Sequence, residues 1–385
     1  MTYRFILNEV SYHGPGAIKN IVPEVQKRGF KKALIVTDAN LIKYKVAQKI
    51  TELLDSNGLV YDIYDEVKPN PTIANVQKGV EAYKKAQADY IIAIGGGSPQ
   101  DTAKAIGIII NNPEFSDVVS LEGVAPTKNR SVPLIAVATT AGTAAEVTIN
   151  YVITDEAKKR KFVCVDPNDI PIIAVVDPDL MATMPADLTA ATGMDALTHA
   201  IESYLTPGAW ALSDTLNLGA IELIAKSLRD ACKNDPKAKA DMALAQYMTG
   251  MAFSNVGLGV VHGMAHPLGA FYDTPHGVAN AVLLPYVLAY NADYTGEKYR
   301  AIGKAMGVKG IETLSLAEAR AATIKAVEQL SQDVGIPATL ADLGVKEADL
   351  ADLAKAAMAD VCTGGNPRPC TEPELLAVYK KAYAG

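Results

Sequence analysis

The chain has 385 residues, 49% of them hydrophobic and 21% charged, which is enough for two domains with real cores and excludes a disordered chain. With 36 basic against 43 acidic residues and a net charge of -7, nucleic acid and anionic membranes are poor partners, and a small-molecule ligand is the better expectation. Cys164, Cys232, Cys362 and Cys370 are scattered without a C-x-x-C pair, which argues against a disulfide framework or a thiolate metal site and for a reducing cytoplasm. The opening MTYRFILNEV holds too short an apolar interval for a signal peptide, and no run nears the roughly 20 apolar residues of a membrane span.

Taken in order, the chain begins with a strand-like run, Tyr3 to Val10, ahead of the first helix. Such a run must be covered or paired at a sheet edge, which is one reason to expect a homodimer. Up to about residue 183, apolar runs then alternate with helical patterns: KKALIVTD, VYDIY, DYIIAIGGG, VPLIAVATT and IIAVVDPD. These runs are continuously apolar, the pattern of strands buried on both faces of a parallel sheet. The half reads as a doubly wound α/β domain, which binds ligands at the carboxyl ends of its strands.

Those ends carry suitable groups. The first of these strands ends at Asp38, with Asn40 close behind. An acid there accepts hydrogen bonds from ribose hydroxyls, and the alternative is a helix or turn cap. The third runs into Gly95, Gly96, Gly97, Ser98 and Pro99, where glycines admit a ligand, Ser98 caps and Pro99 suits a first helical turn whose free N–H groups face a phosphate. The fourth ends in Thr139, Thr140, Ala141, Gly142 and Thr143. Two such loops and a terminal acid predict a nucleotide crevice. Asn111 to Arg130 reads as a surface loop.

From Pro185 helical periods dominate: Ala190 to Leu205, Ala209 to Cys232, Lys239 to Phe253, Ala279 to Tyr290, Ser315 to Val334 and Glu347 to Met358. The expected architecture is an α/β domain over residues 1–184 and an all-helical domain over 185–385, with a metal ion in the cleft between them. The helical half holds four of the five histidines. Asp195 and His199 stand at i and i+4 in GMDALTHAIE, where one helix face aims both at a single ion. His262, His266 and His276 crowd VHGMAHPLGAFYDTPHG. His262 and His276 are each followed by Gly, which lets backbone turn closely around a ligand. Asp195, His199, His262 and His276 are therefore the candidate ligands of one metal ion, a nitrogen and oxygen set that suits several first-row ions. His266 is the surplus imidazole, free to carry protons or touch substrate.

GGGSPQD, TTAGTAAE, GMDALTHAIE, VHGMAHPLGAFYDTPHG and CTGGNPR, in this order, resemble the iron-containing (group III) alcohol dehydrogenases over nearly the whole chain. The resemblance implies a dinucleotide-binding α/β domain followed by an all-α metal-binding domain, in the dehydroquinate synthase-like fold, and a homodimer. It implies Fe²⁺, with Zn²⁺ as the alternative, on Asp195, His199, His262 and His276, with His266 beside the substrate. It further implies NAD on Asp38, Asn70, Gly96, Gly97, Ser98, Asp101, Thr139, Thr140 and Thr143, with Asn150, Lys161, Phe253 and Cys362 lining the cofactor or substrate pocket. His13, in YHGPG, departs from the aromatic of that family. The implied reaction moves hydride between NAD(H) and a short-chain alcohol or aldehyde. Glycerol- and 1,3-propanediol-oxidising enzymes are rivals that differ in metal or substrate. A lyase of the same fold is a weaker rival, since phosphorylated acids call for Arg and Lys near the metal, and GMAHPLGAFY and MAFSNVGLG carry none.

Overall fold

The five apolar runs all become strands. The computed structural model describes residues 2–385 and contains eight strands: β1 (Val10–His13), β2 (Lys32–Val36), β3 (Val60–Tyr64), β4 (Tyr90–Gly95), β5 (Leu134–Ala138), β6 (Asn150–Asp155), β7 (Arg160–Val165) and β8 (Ile173–Val176). Six of them form one sheet in the order β1-β8-β5-β4-β2-β3, every neighbouring pair parallel. Successive side chains enter opposite cores: Leu34, Val36, Ile91 and Ala93 pack on one face, Ala33, Ile35, Ile92 and Ile94 on the other. Helices α1 (Ile21–Arg28), α2 (Ala39–Lys43), α3 (Gln48–Asp55), α4 (Ile73–Ala86) and α5 (Gly97–Asn111) connect the strands.

Strand order reverses between β2 and β4. From β2 the chain moves to β3 on one side, then returns to place β4 on the other. That switch point is where doubly wound sheets open a crevice at their carboxyl ends.

Three expectations are corrected here. The first strand is Val10–His13, not the run from Tyr3, because it is at Val10 that the chain meets β8 in parallel register. β6 and β7, an antiparallel hairpin, were not expected. Their half-buried alternation, with Tyr151, Ile153, Phe162 and Cys164 turned inward, is a weaker signal than a continuous apolar run. The segment from Asn111 to Arg130 is more than a surface loop, since its 3-10 turns Pro113–Phe115 and Val118–Leu121 bury Val118 and Leu121.

The chain clusters into two compact units, Met1–Thr140 with Ala144–Ala182, and Ala141–Thr143 with Thr183–Gly385. The expected division after residue 184 did not anticipate that Ala141–Thr143 would join the second unit. That unit is helical: α6 (Ala186–Leu205), α7 (Ala211–Ala231), α8 (Pro236–Val256), α9 (Val260–Tyr272), α10 (His276–Asn291), α11 (Lys298–Ala305), α12 (Leu316–Asp333), α13 (Leu350–Met358) and α14 (Glu372–Ala384). Helices α9, α11 and α14 were missed. In α9, Pro267 and four glycine or histidine positions disguise a 13-residue helix.

Candidate metal and dinucleotide sites

In the helical unit, Asp195 and His199 project from the buried face of α6, His262 and His266 lie one turn apart on α9, and His276 is the first residue of α10. One ligand atom from each of Asp195, His199, His262 and His276 falls within 4.8 Å of the others. The glycines act differently from the expectation. Gly263 and Gly277 are helical, and a Cβ on Gly263 would sit 2.2 Å from Thr363 Oγ1, one on Gly277 2.3 Å from the Ala191 carbonyl. They allow close approach of neighbouring segments, which brings the ligand-bearing elements together, rather than a turn around the ligand.

The spacings suit a shared cation better than direct hydrogen bonds. Asp195 Oδ1 lies 3.6 Å from His276 Nε2 and 4.0 Å from His262 Nε2, while Asp195 Oδ2 lies 3.9 Å from His199 Nδ1. Donors about 2.1 Å from a common ion are themselves roughly 3–4 Å apart. His199 Nδ1 is buried without a hydrogen-bond partner, and burial, then the charge of His262, pushes the His199 pKa well below its ordinary value, so the imidazole keeps a lone pair.

Asn280 marks the centre. Its Nδ2 lies 2.7 Å from Asp195 Oδ1 and 3.1 Å from both His262 Nε2 and His276 Nε2. An amide nitrogen has two hydrogens to offer three acceptors, so the acceptors surround a point better matched to a cation. The side chains of Asp195, His199 and His262 are at most 6% exposed, but His276 is 28% exposed, so the centre opens past His276.

His266 is excluded from this set yet touches it. Its ring stacks on His276 with centroids 5.3 Å apart, and its Nδ1 is 2.8 Å from Asp360 Oδ2. Burial works against ionisation of Asp360, but the adjoining His266 and the hydrogen bonds from Cys362 together outweigh it and hold that carboxyl below its usual range. The other oxygen of Asp360 accepts from the Cys362 amide at 2.8 Å, and burial pushes the Cys362 thiol far up, so it stays protonated. Phe253 stacks on His199 with centroids 4.3 Å apart, which places it against a ligand ring. His13 is not part of this cluster; its Nε2 lies 3.0 Å from Ser11 Oγ near the end of β1.

In the α/β unit, the carboxyl ends of β2, β4 and β5, adjacent in the sheet, lead to Asp38, to Gly96–Ser98 and to Thr139–Thr140. Asp38 Oδ1 accepts from the amides of Asn40 and Leu41 at 2.9 and 3.1 Å, so the capping role is real, and it engages only that oxygen. Gly96, not Ser98, occupies the cap position of α5; Ser98 lies inside the first turn. A Cβ on Gly95 would meet Pro99 Cγ at 2.4 Å and one on Gly96 would meet Thr140 at 3.1 Å, which holds the loop close to its neighbours. Asn70, with φ of 53°, receives the Lys161 ammonium at 2.7 Å. Asp101 and Asn150 join α5 to the hairpin: Asp101 Oδ2 accepts from the Val152 amide at 3.0 Å, and the Asn150 carbonyl accepts from Lys104 at 2.9 Å. Burial pushes the Asp101 carboxyl up to about 6. Thr143 belongs to the second unit.

Sequence reasoning passed over Glu202, Asn280 and Asp360. Each stands close in sequence to a candidate residue, Glu202 three beyond His199, Asn280 four beyond His276 and Asp360 two before Cys362, but the partners that give them a role lie elsewhere in the chain.

Two family models cover the chain, "Iron-containing alcohol dehydrogenase" over residues 8–178 and "Fe-containing alcohol dehydrogenase family, C-terminal" over residues 189–383. The chain belongs to the iron-containing alcohol dehydrogenase family. It is 60% identical to lactaldehyde reductase of Escherichia coli over 383 residues, covering 100% of both chains, and 43% identical to 1,3-propanediol dehydrogenase of Klebsiella pneumoniae, again covering 100% of both. A crystal structure of 1,3-propanediol oxidoreductase matches with a TM-score of 0.96 at 42% identity, over 100% of each chain. The protein is therefore an NAD-dependent, metal-binding alcohol dehydrogenase, an oxidoreductase acting on small alcohols or aldehydes. Among the described residues, no helix is long and apolar enough to cross a membrane.

Proposed function

We propose that the protein interconverts lactaldehyde and 1,2-propanediol with NAD(H), using Fe²⁺ held by Asp195, His199, His262 and His276. The observation that carries this reading is the convergence of those four donors on one buried point in a chain 60% identical to a lactaldehyde reductase. The 43% identity to 1,3-propanediol dehydrogenase makes the isomeric diol the second substrate to test. The donor set holds no thiolate and accepts Zn²⁺ as well, so iron rests on the family's name.

When bound, the ion supplies a Lewis acid for the carbonyl oxygen and the dinucleotide supplies or accepts the hydride. The chain's own residues do the rest. Asp360 holds the Nδ1 side of His266, so Nε2 is the nitrogen at which a proton is taken up or released. Phe253 fixes the ring plane of His199 and Cys362 contributes a neutral thiol to the surroundings of His266. Gly96, Gly97 and Ser98 offer the start of α5 to the pyrophosphate, with Thr139, Thr140 and Thr143 as further donors. Asp38 takes the adenosine ribose, and Asn70, Asp101, Asn150 and Lys161 complete the surroundings of the cofactor.

A homodimer fits β1, the outermost strand on its side of the sheet, preceded by the exposed Tyr3 and Leu7. Light scattering should give twice 40.7 kDa. A cytoplasmic location fits the four unpaired cysteines. The function itself is tested by NADH oxidation with lactaldehyde, 3-hydroxypropanal and dihydroxyacetone on anaerobically iron-loaded protein. The highest kcat/KM should fall to lactaldehyde.

A further inference from the structure

Helix α6 carries a third polar side chain in line with the two candidate ligands. Asp195, His199 and Glu202 stand at i, i+4 and i+7, on one face of the helix, and Glu202 is buried with a side chain 6% exposed. Its two oxygens do separate work. Oε1 accepts from the Val261 amide at 2.6 Å, and Oε2 lies 2.6 Å from His262 Nδ1. Val261 is in the first turn of α9, whose own cap residue, Gly259, brings no side chain to the free amides. A Cβ on Gly259 would come within 2.8 Å of Glu202 Oε1, so glycine there admits the carboxylate.

We infer that Glu202 is a positioning residue for the metal centre: it fixes His262 as the Nδ1–H tautomer and so aims the Nε2 lone pair at the ion. The inference rests on the metal reading above. The arrangement around Nε2 agrees with it, because Nε2 faces Asp195 Oδ1 at 4.0 Å, too far for a hydrogen bond, so no carboxylate holds a proton on that nitrogen. A carboxylate behind a ligating imidazole both orients the ring and raises its basicity. One acid thereby ties the cap of α9 to the ligand that α9 carries.

Glutamine at this position separates the role from simple packing. Its shape is that of Glu202, but it has one acceptor oxygen where the structure uses two. If that oxygen stays with the Val261 amide, the NH₂ faces His262 Nδ1 and donates to it, which drives the proton to Nε2 and removes the lone pair that binds metal.

The test measures Zn²⁺ affinity of the full-length chain by competition with a chromophoric chelator, for the wild type, Glu202→Gln, Glu202→Asp and His262→Ala, together with thermal melting in excess chelator. Glu202→Gln should bind Zn²⁺ roughly 10- to 100-fold more weakly. Its metal-free melting should stay near that of the wild type, and Glu202→Asp, which keeps a carboxylate, should recover part of the loss. Wild-type affinity in Glu202→Gln, beside a His262→Ala variant that has lost the ion, overturns the role of Glu202 alone. A wild type that binds no Zn²⁺, or binds it no better than His262→Ala, overturns the metal reading and this inference with it. Should Glu202→Gln not fold, nitrogen-15 histidine spectra of the zinc-loaded wild type decide the matter. A protonated Nδ1 on His262 supports the inference, and a protonated Nε2 overturns it.

Discussion

The α/β unit presents its candidate ligand groups from loops just beyond β2, β4 and β5, largely as backbone amides beside glycines. The helical unit presents side chains from the interiors or first residues of α6, α9 and α10, with hardly a loop involved. A diffuse polyanion such as a pyrophosphate is met by many weak donors, none of which a single substitution removes. An ion held by the four proposed donors would depend on each of them, so each side chain would be indispensable. Single substitutions should therefore act all-or-none in the helical unit and by degrees in the α/β unit.

The largest expected effect is that of His262→Ala. It removes one of the four proposed ligands, so bound metal and activity should both fall to background while the circular dichroism spectrum is kept. An active, metal-replete variant would remove His262 from the ligand set. His266→Ala sharpens the contrast within α9 itself. His266 lies one turn from His262 but faces Asp360, so metal content should persist while turnover drops by roughly 100-fold or more, with an altered pH–rate profile. Loss of metal in this variant would mean that the ligands are wrongly assigned.

Gly277→Ala tests the close helix packing. The new Cβ meets the Ala191 carbonyl at 2.3 Å, against backbone that has little freedom to give. A loss of about 1–3 kcal/mol in stability is expected from the forced shift, along with weaker metal retention. Thermal melting and metal analysis together check this. The smallest effect should come from the α/β unit. Asp38→Gly should cost only a few tenths of a kcal/mol as a cap, since glycine caps helices tolerably. It should nonetheless raise kcat/KM for NADPH relative to NADH, because a carboxylate that repels a 2′-phosphate has gone. An unchanged cofactor ratio would leave Asp38 as a cap alone.

How legible all this was in the sequence follows the same division. Strands buried on both faces announce themselves as apolar runs, so β2, β4, β5 and β8 could be read directly, whereas β3, the largely exposed edge strand, was read from VYDIY by its β-favouring residues. The hairpin of β6 and β7 could not, because half-buried alternation over six residues resembles many polar loops. The four-histidine pattern stood out by residue type. That VHGMAHPLG forms a helix did not, since glycine and proline normally interrupt one, and only the approach of Thr363 explains why Gly263 sits inside α9. Glu202, Asn280 and Asp360 were hidden for a different reason. Their importance lies in what they touch across the fold, 60, 18 and 94 residues away in sequence, and no local spacing shows that.

The most direct test of the account is to titrate anaerobic Fe²⁺ into the metal-free full-length chain and follow bound iron and NADH oxidation with lactaldehyde in the same samples. Activity should rise in proportion to iron and level off at one ion per chain. Full turnover before any iron is added, or iron binding that leaves turnover unchanged, would contradict the claim that this four-residue centre drives the reaction.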